Sequence, residues 1–309
     1  MQETHFSKEI VNTGRQIEFD WAKTLAIVFM IMVHIYQYVT TVNYHVLPTD
    51  VFRNTIEFLG GPLAAPVFMF AMGMGMIYSR KNTSHDFMTR GIKLLIAGYA
   101  LNLVRETIPL LFMAGIGQGE GESILYSLGN VDILHFAGMA FIAIAVMKRF
   151  NINEWKMLAI SVLLQPLGVA IASLGIQNKL MQYVLDLFIH ANEGSSFPLF
   201  SWLIYPVFGM CFALVLQRIK DKRWFYNRVL LIGILGFITT SSTYVINGYD
   251  LRFSYTLAKD FYWEQTMLQS SWIIFIILIA IASYFWLSEF VTNGKVVGSI
   301  KWISKNLRA

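Results

Sequence analysis

R-Q-I-E-F-D-W-A-K-T-L-A-I-V-F-M-I-M-V-H-I-Y-Q-Y-V-T-T-V-N-Y-H, running from Arg15 to His45, decides the fold. Between Thr24 and Thr49 the chain has no Asp, Glu, Lys or Arg, a run longer than the ~20 residues with which a helix crosses the hydrocarbon core. This is a membrane span. A helix turns ~100° per residue, so Asp20, Lys23, His34, Gln37, Tyr38, Thr41 and, in a helix that lasts so far, His45 fall along one stripe. Lipid penalises a polar stripe severely, so it should face the protein interior or a hydrated cavity, where ionisable residues are functional candidates.

The rest of the chain agrees. Of its 309 residues 56% are hydrophobic, 15% aromatic and only 14% charged, a composition too apolar for a soluble domain. Charge-free runs recur at Phe58 to Ser79, Met157 to Asn178, Gly194 to Gln217, Val229 to Tyr249 and Gln265 to Ser288. Two more spans carry charge: Gly91 to Ala114, with Arg105 and Glu106, and Gly129 to Met147, with Asp132. The expected fold is an all-α polytopic transmembrane bundle of about eight spans. Residues 1–20 read as a cytoplasmic segment, 21–291 as the transmembrane domain and 292–309 as a cytoplasmic tail.

Charge counting orients the bundle. Nineteen of the 24 Lys and Arg residues lie on one side of these spans and four on the other, which places both termini in the cytoplasm. The net charge of +5 therefore follows topology rather than a nucleic-acid groove. Trp21, Trp155, Trp202, Trp224 and Trp263 stand near span ends, where an aromatic belt belongs. Cys211 is the only cysteine, which excludes a disulfide framework or a thiolate metal cluster within one chain. There is no H-E-x-x-H or H-x-x-x-H, and no metal is expected. The first apolar run is too long for a cleaved signal peptide.

Arg15 stands five residues before Asp20, with a basic residue at 23, an apolar run, and His34 fourteen residues after Asp20. This order resembles the first-helix signature of membrane acyltransferases: the acyltransferase-3 class and its relative, the catalytic domain of heparan-α-glucosaminide N-acetyltransferase. Those relatives usually have Arg-Gly where this chain has Lys23-Thr24. Lys keeps the charge and loses the bidentate fork. P-V-F at 66–68 followed by small residues, N-V-D-I-L-H at 130–135 and F-P-L-F-S-W at 197–202 resemble later helices of the same group. Members of the class carry about ten spans, so the expectation here is either a truncated chain or a shorter branch without the last hairpin.

The resemblance implies transfer of an acyl group, acetyl foremost, from cytoplasmic acyl-CoA to a sugar or other envelope acceptor on the outer side of a bacterial-type cytoplasmic membrane. Under that reading His34 is the general base or transient acyl carrier, with His45 its rival. Imidazole suits the role because it titrates near neutral pH. Arg105 or Asn102, which shares a face with it, would stabilise the thioester oxyanion. Asp132, near the outer surface with His135 on one face, would bind acceptor or simply hold a buried pair. Asp20, Lys23, Arg80, Arg90 and Lys93 would hold CoA, the last three from a basic cytoplasmic loop whose bland alternative is the positive-inside rule. Arg105 and Glu106 are adjacent, so each should need partners on other helices. Leu180 to His190, amphipathic and short, should lie flat or re-enter as a lid. Expected partners are membrane lipids, acyl-CoA and the acceptor, with no nucleic acid; a homodimer is allowed.

Two other classes remain open at this point. A proton-coupled carrier or glycan flippase also shows a polar seam with intramembrane Arg, Glu, Asp and His, although no internal repeat supports it. A catalytically inactive scaffold fits Lys23 and the short C-terminal end.

Overall fold

The computed structural model describes residues 5–40, 46–115, 124–190, 195–256 and 261–306. The fold is all-α, 76% helical, with no strands among the described residues. The helices are α1 (Ile17–Val39), α2 (Val51–Gly60), α3 (Ala65–Tyr78), α4 (Ser84–Asn102), α5 (Ile108–Gly115), α6 (Ile124–Gly129), α7 (Ile133–Arg149) and α8 (Glu154–Ala172). They continue with α9 (Lys179–Leu185), α10 (Leu199–Trp202), α11 (Ile204–Leu216), α12 (Lys222–Ile246), α13 (Phe261–Glu264), α14 (Met267–Phe290) and α15 (Gly294–Asn306). Seven segments among the described residues are long and apolar enough to cross a membrane: Ile17–Val39, Val51–Tyr78, Ser84–Gly115, Glu154–Ala172, Leu199–Leu216, Lys222–Ile246 and Met267–Phe290. The eighth expected span is α7, whose 17 residues stand at the lower limit of the ~17–25 with which a helix crosses the hydrocarbon core.

Caps explain where the elements begin. Asp50 accepts the Arg53 amide at 2.7 Å, so α2 starts at Val51, seven residues ahead of the charge-free run that begins at Phe58. It breaks at Gly61, whose N–H donates to Glu57 O at 2.7 Å, and Pro66 restarts the helix in the first turn of α3. Thr83 and Asp86 form a reciprocal capping box, which starts α4 seven residues before the expected span. Arg90 and Lys93 consequently sit on a helix and not in a loop. Asp132 and His135 cap α7 in the same manner.

The chain divides into two compact units, one of Met1–Ser79, Tyr205–Tyr262 and Leu268–Ala309, the other of Arg80–Ile204 and Trp263–Met267. In the first, α3 and α11 cross in backbone contact. A Cβ on Gly73 would stand 1.8 Å from Pro206 O, and one on Gly209 would stand 2.1 Å from Phe70 O. Only glycine fits such a crossing, as in small-residue packing of membrane helices. Arg223 with Glu289 at 2.8 Å and Lys222 with Glu18 at 2.8 Å tie the start of α12 to the end of α14 and the start of α1.

In the second unit α4 and α7 run antiparallel in contact along their length. Ser84 Oγ donates to Ala145 O at 2.7 Å; a Cβ on Gly91 would lie 2.7 Å from Gly138 O, and one on Gly98 would lie 3.0 Å from the His135 ring. Small residues at 84, 91 and 98 repeat every seven positions, which keeps them on one seam. Trp202, in the first turn of the Leu199–Leu216 segment, is fully buried within the protein and donates from Nε1 to Trp263 O at 3.0 Å. The stretch from Leu180 holds a single short helix, α9, whose Leu180, Met181 and Val184 are exposed.

Candidate active site

The polar stripe on α1 divides into a sealed half and an open half. At the sealed end Arg15 Nε donates to Asp20 Oδ2 at 2.6 Å and Ser304 of α15 donates to Oδ1 at 2.6 Å. The Asp20 side chain is only 5% exposed. Both its oxygens are thus engaged, one by the signature arginine and one by the C-terminal helix. Lys23, one turn on, is half-buried and has a partner. At the other end His34 is exposed, and its Nδ1 lies 3.2 Å from Gln37 Oε1. With Nδ1–H donating to that oxygen, Nε2 carries the lone pair. The helix stops at Val39, before Thr41; Thr41 and His45 lie outside the described residues.

Neighbouring Glu18 is fully buried. Its Oε1 accepts from Lys222 Nζ at 2.8 Å and from Tyr226 OH at 2.9 Å, while Oε2 has no hydrogen-bond partner. Sequence reasoning passed over it because it lies off the stripe that carries Asp20 and His34. It also passed over Arg53 and Glu57, four residues apart on α2, which form a 2.6 Å ion pair with side chains 8% and 0% exposed. The signal was present, since an Arg and a Glu at helical spacing stand just before a charge-free run.

The second unit holds the other polar cluster. Between α4 and α5, Leu103–Thr107 is a π-helical turn, a distortion that recurs at functional sites. On it Arg105 donates to Glu106 Oε1 from Nη2 at 2.5 Å and from Nε at 3.1 Å, and to Asp132 Oδ2 from Nη1 at 3.2 Å. The expectation that adjacent Arg105 and Glu106 would need separate partners is therefore corrected for this pair. The widened turn lets the long guanidinium fold back onto its neighbour while reaching across to the N-cap of α7. Side-chain exposures of 43%, 27% and 29% for Arg105, Glu106 and Asp132 keep the triad open. Three of the five guanidinium N–H groups are used, so two remain for a ligand oxygen.

Beneath the triad two neutral side chains are fully buried. Asn102 Nδ2 donates to Leu128 O at 3.1 Å and Asn130 O at 2.7 Å, bracing the turn that leads into α7; its Oδ1 has no hydrogen-bond partner. His135 Nδ1 accepts from the Asp132 amide at 3.2 Å, so the proton sits on Nε2, which likewise has no partner. At the opposite end of α4, Arg90 and Lys93 are exposed at three-residue spacing, with the Arg90 guanidinium 4.7 Å above the Phe141 ring. Arg80 is exposed just before the helix. The structure brings Arg105 to Asp132 and Asp20 to Arg15, and it places His34 in the first unit and Arg105 in the second. No group of three or more His, Cys, Asp or Glu among the described residues is arranged to hold a metal ion.

Residues 15–248, which include both clusters, match the profile of the heparan-alpha-glucosaminide N-acetyltransferase catalytic family. The chain belongs to that family. It is a multi-pass integral membrane protein of a membrane acetyltransferase family. No curated protein and no solved structure matches it. Helices α13, α14 and α15 lie beyond the matched residues.

Proposed function

We propose that the protein transfers an acetyl group from acetyl-CoA at the cytoplasmic face to a hydroxyl or amine of a sugar-containing acceptor at the outer face, with both termini in the cytoplasm. The family match over residues 15–248 carries this reading. The nineteen-to-four distribution of basic residues supports its sidedness. Lys23, Arg80, Arg90 and Lys93 supply positive charge suited to the phosphates of the donor. Asp20, with both oxygens engaged, serves as a brace.

His34 fits the general base, since its Nε2 lone pair is unencumbered and its ring is exposed. It takes the proton from the acceptor O–H or N–H as that atom bonds to the acetyl carbonyl carbon. The C–S bond then breaks, and the imidazolium returns the proton to the departing thiolate. As a reading separate from that base, the two uncommitted N–H groups of Arg105 in the second unit suit an oxygen that becomes anionic during transfer. Asn102 spends both amide hydrogens on backbone carbonyls, so its role is to hold the turn before Asp132.

The test uses purified protein in sealed vesicles, with acetyl-labelled donor on one side and a panel of sugars and aminosugars on the other. Product should form only with donor at the face that carries Arg90 and Lys93. His34→Ala should abolish transfer while the protein still inserts. If His34→Ala turns over normally and His45→Ala does not, the base is His45. A solute that crosses in response to a proton gradient, with no release of CoA under any acceptor, would make the protein a carrier.

A further inference from the structure

Helix α15 carries an unpartnered face whose chemistry is specific. Residues 294–306 contain Lys295, Lys301 and Lys305 and no Asp or Glu. At ~100° per residue, Lys301, Lys305, Gly298, Trp302 and Lys295 follow one another around one side of the helix. All five are exposed, Trp302 at 68%. The opposite side is pinned to α1: Ile300 and Ser304 are buried, Ile300 O accepts from Thr24 Oγ1 at 3.4 Å, Lys301 O accepts from Arg15 Nη2 at 2.8 Å, and Ser304 bonds Asp20. One side is fixed and the other open.

Position supplies the second observation. α14 ends at Phe290 and α15 begins at Gly294, so the helix starts a single turn beyond the end of a span. It also packs on the first turns of α1, another span end. Lys295, Trp302 and Ile303 border an open groove of about 580 Å³ with Gly294, Gly298 and Ser299. A Cβ on Gly294 or Gly298 would meet nothing. Packing within the chain therefore does not require these glycines, although Gly298, inside the helix, costs about 1 kcal/mol relative to Ala.

We infer that this face of α15 docks on anionic phospholipid headgroups at the membrane surface. A basic stripe interrupted by Trp is the pattern of an interfacial helix, with lysines on the headgroup phosphates and the indole at the acyl boundary. The glycines lower the helix surface so that headgroups come close to it. Because the buried side holds Asp20 through Ser304 and Arg15 through Lys301, the lipid surface bears on the helix that carries the family signature. The docking does not depend on the acyl-transfer reading.

The full chain is reconstituted in phosphatidylcholine vesicles containing an equal fraction of either brominated phosphatidylglycerol or brominated phosphatidylcholine. Quenching of Trp302 is taken as the difference between the wild type and W302F. The anionic lipid should quench more at low salt, with local enrichment of about fivefold per lysine, fading as salt rises. Replacing Lys295, Lys301 and Lys305 together by Gln should level the two lipids, and replacing them by Arg should keep the preference. Should the Gln variant fail to fold, the salt titration of the wild type and the Arg variant decide alone. Equal quenching by both lipids in the wild type overturns the inference. So does quenching by neither, and cross-linking through G298C would then identify a second copy as the occupant.

Discussion

Two arginine–carboxylate groups in this molecule differ in one respect that separates support from chemistry. Arg53 and Glu57 form a sealed pair: their side chains are 8% and 0% exposed, one Glu57 oxygen accepts from Arg53 at 2.6 Å and the other from Thr256, and Arg53 also donates to Val46 O at 2.8 Å. Arg105 with Glu106 and Asp132 is open and has N–H donors to spare, and it stands on a π-helical turn. A buried pair with its lone pairs satisfied is costly to break and has nothing to offer a substrate. An open triad costs little to break and can redirect its donors.

The largest effect should come from breaking the sealed pair. Glu57→Ala leaves the Arg53 guanidinium buried without its counter-charge, which costs about 3–5 kcal/mol. Loss of the monodisperse peak in detergent and a large drop in thermal midpoint would show it. Replacing both residues by Met and Leu should recover most of that loss, because a buried ion pair gives little over well-packed apolar groups. If Glu57→Ala is as stable as wild type, water reaches the pair and the contrast fails.

Arg105→Ala should behave in the opposite sense. Stability should change by less than about 1 kcal/mol, while kcat and kcat/KM fall together by about 10²- to 10³-fold, as expected for a donor that matters only when the oxyanion forms. A rise in KM at constant kcat would instead assign Arg105 to ground-state binding.

The spans were legible because a long charge-free run in a chain this apolar can satisfy its backbone only as a membrane-crossing helix. The start of α4 was misplaced because Arg90 and Lys93 look like loop charges, although the Thr83 and Asp86 capping pair in the sequence marks the true start. The Arg105–Glu106 contact was not legible, since a π-helical turn leaves no trace in hydrophobic period. Nor was the tail: Ser304 and Asp20 are bonded across 284 positions, and no local pattern joins them.

Moderate effects should follow at the basic end of α4. Lys93→Gln removes an exposed charge that contributes little to folding, Arg90→Gln also gives up the contact with the Phe141 ring, and each should raise the KM for acetyl-CoA about two- to fivefold with kcat nearly unchanged. The wild-type KM should rise with salt and the double variant's should not, because only the former has charge to screen. A fall in kcat at constant KM would place these residues outside donor binding.

The smallest effect concerns a third arginine–carboxylate group, partly exposed and outside the spans. Asp250 caps the turn Leu251–Ser254; it accepts from the Arg252 amide at 2.9 Å and from Arg252 Nη2 at 2.5 Å, while Arg252 Nη1 donates to Pro48 O at 2.9 Å. The Arg252 side-chain hydrogen bonds hold the Asp250 carboxyl below its ordinary range. A depressed folded-state pKa means that the unfolded chain binds the proton more readily. The stabilisation is therefore fully present above the unfolded value of about 3.9 and is lost as pH falls through the lower folded value. Hydrogen exchange at residues 250–254 should consequently show protection that holds at neutral pH and declines below about pH 4. Asp250→Asn, with nothing to protonate, should exchange faster at neutral pH and show no such decline. If wild type and variant track each other across the acid range, the cap contributes nothing. Open arginine pairs of this molecule would then matter only where, as at Arg105, a partly covered turn holds them for a ligand.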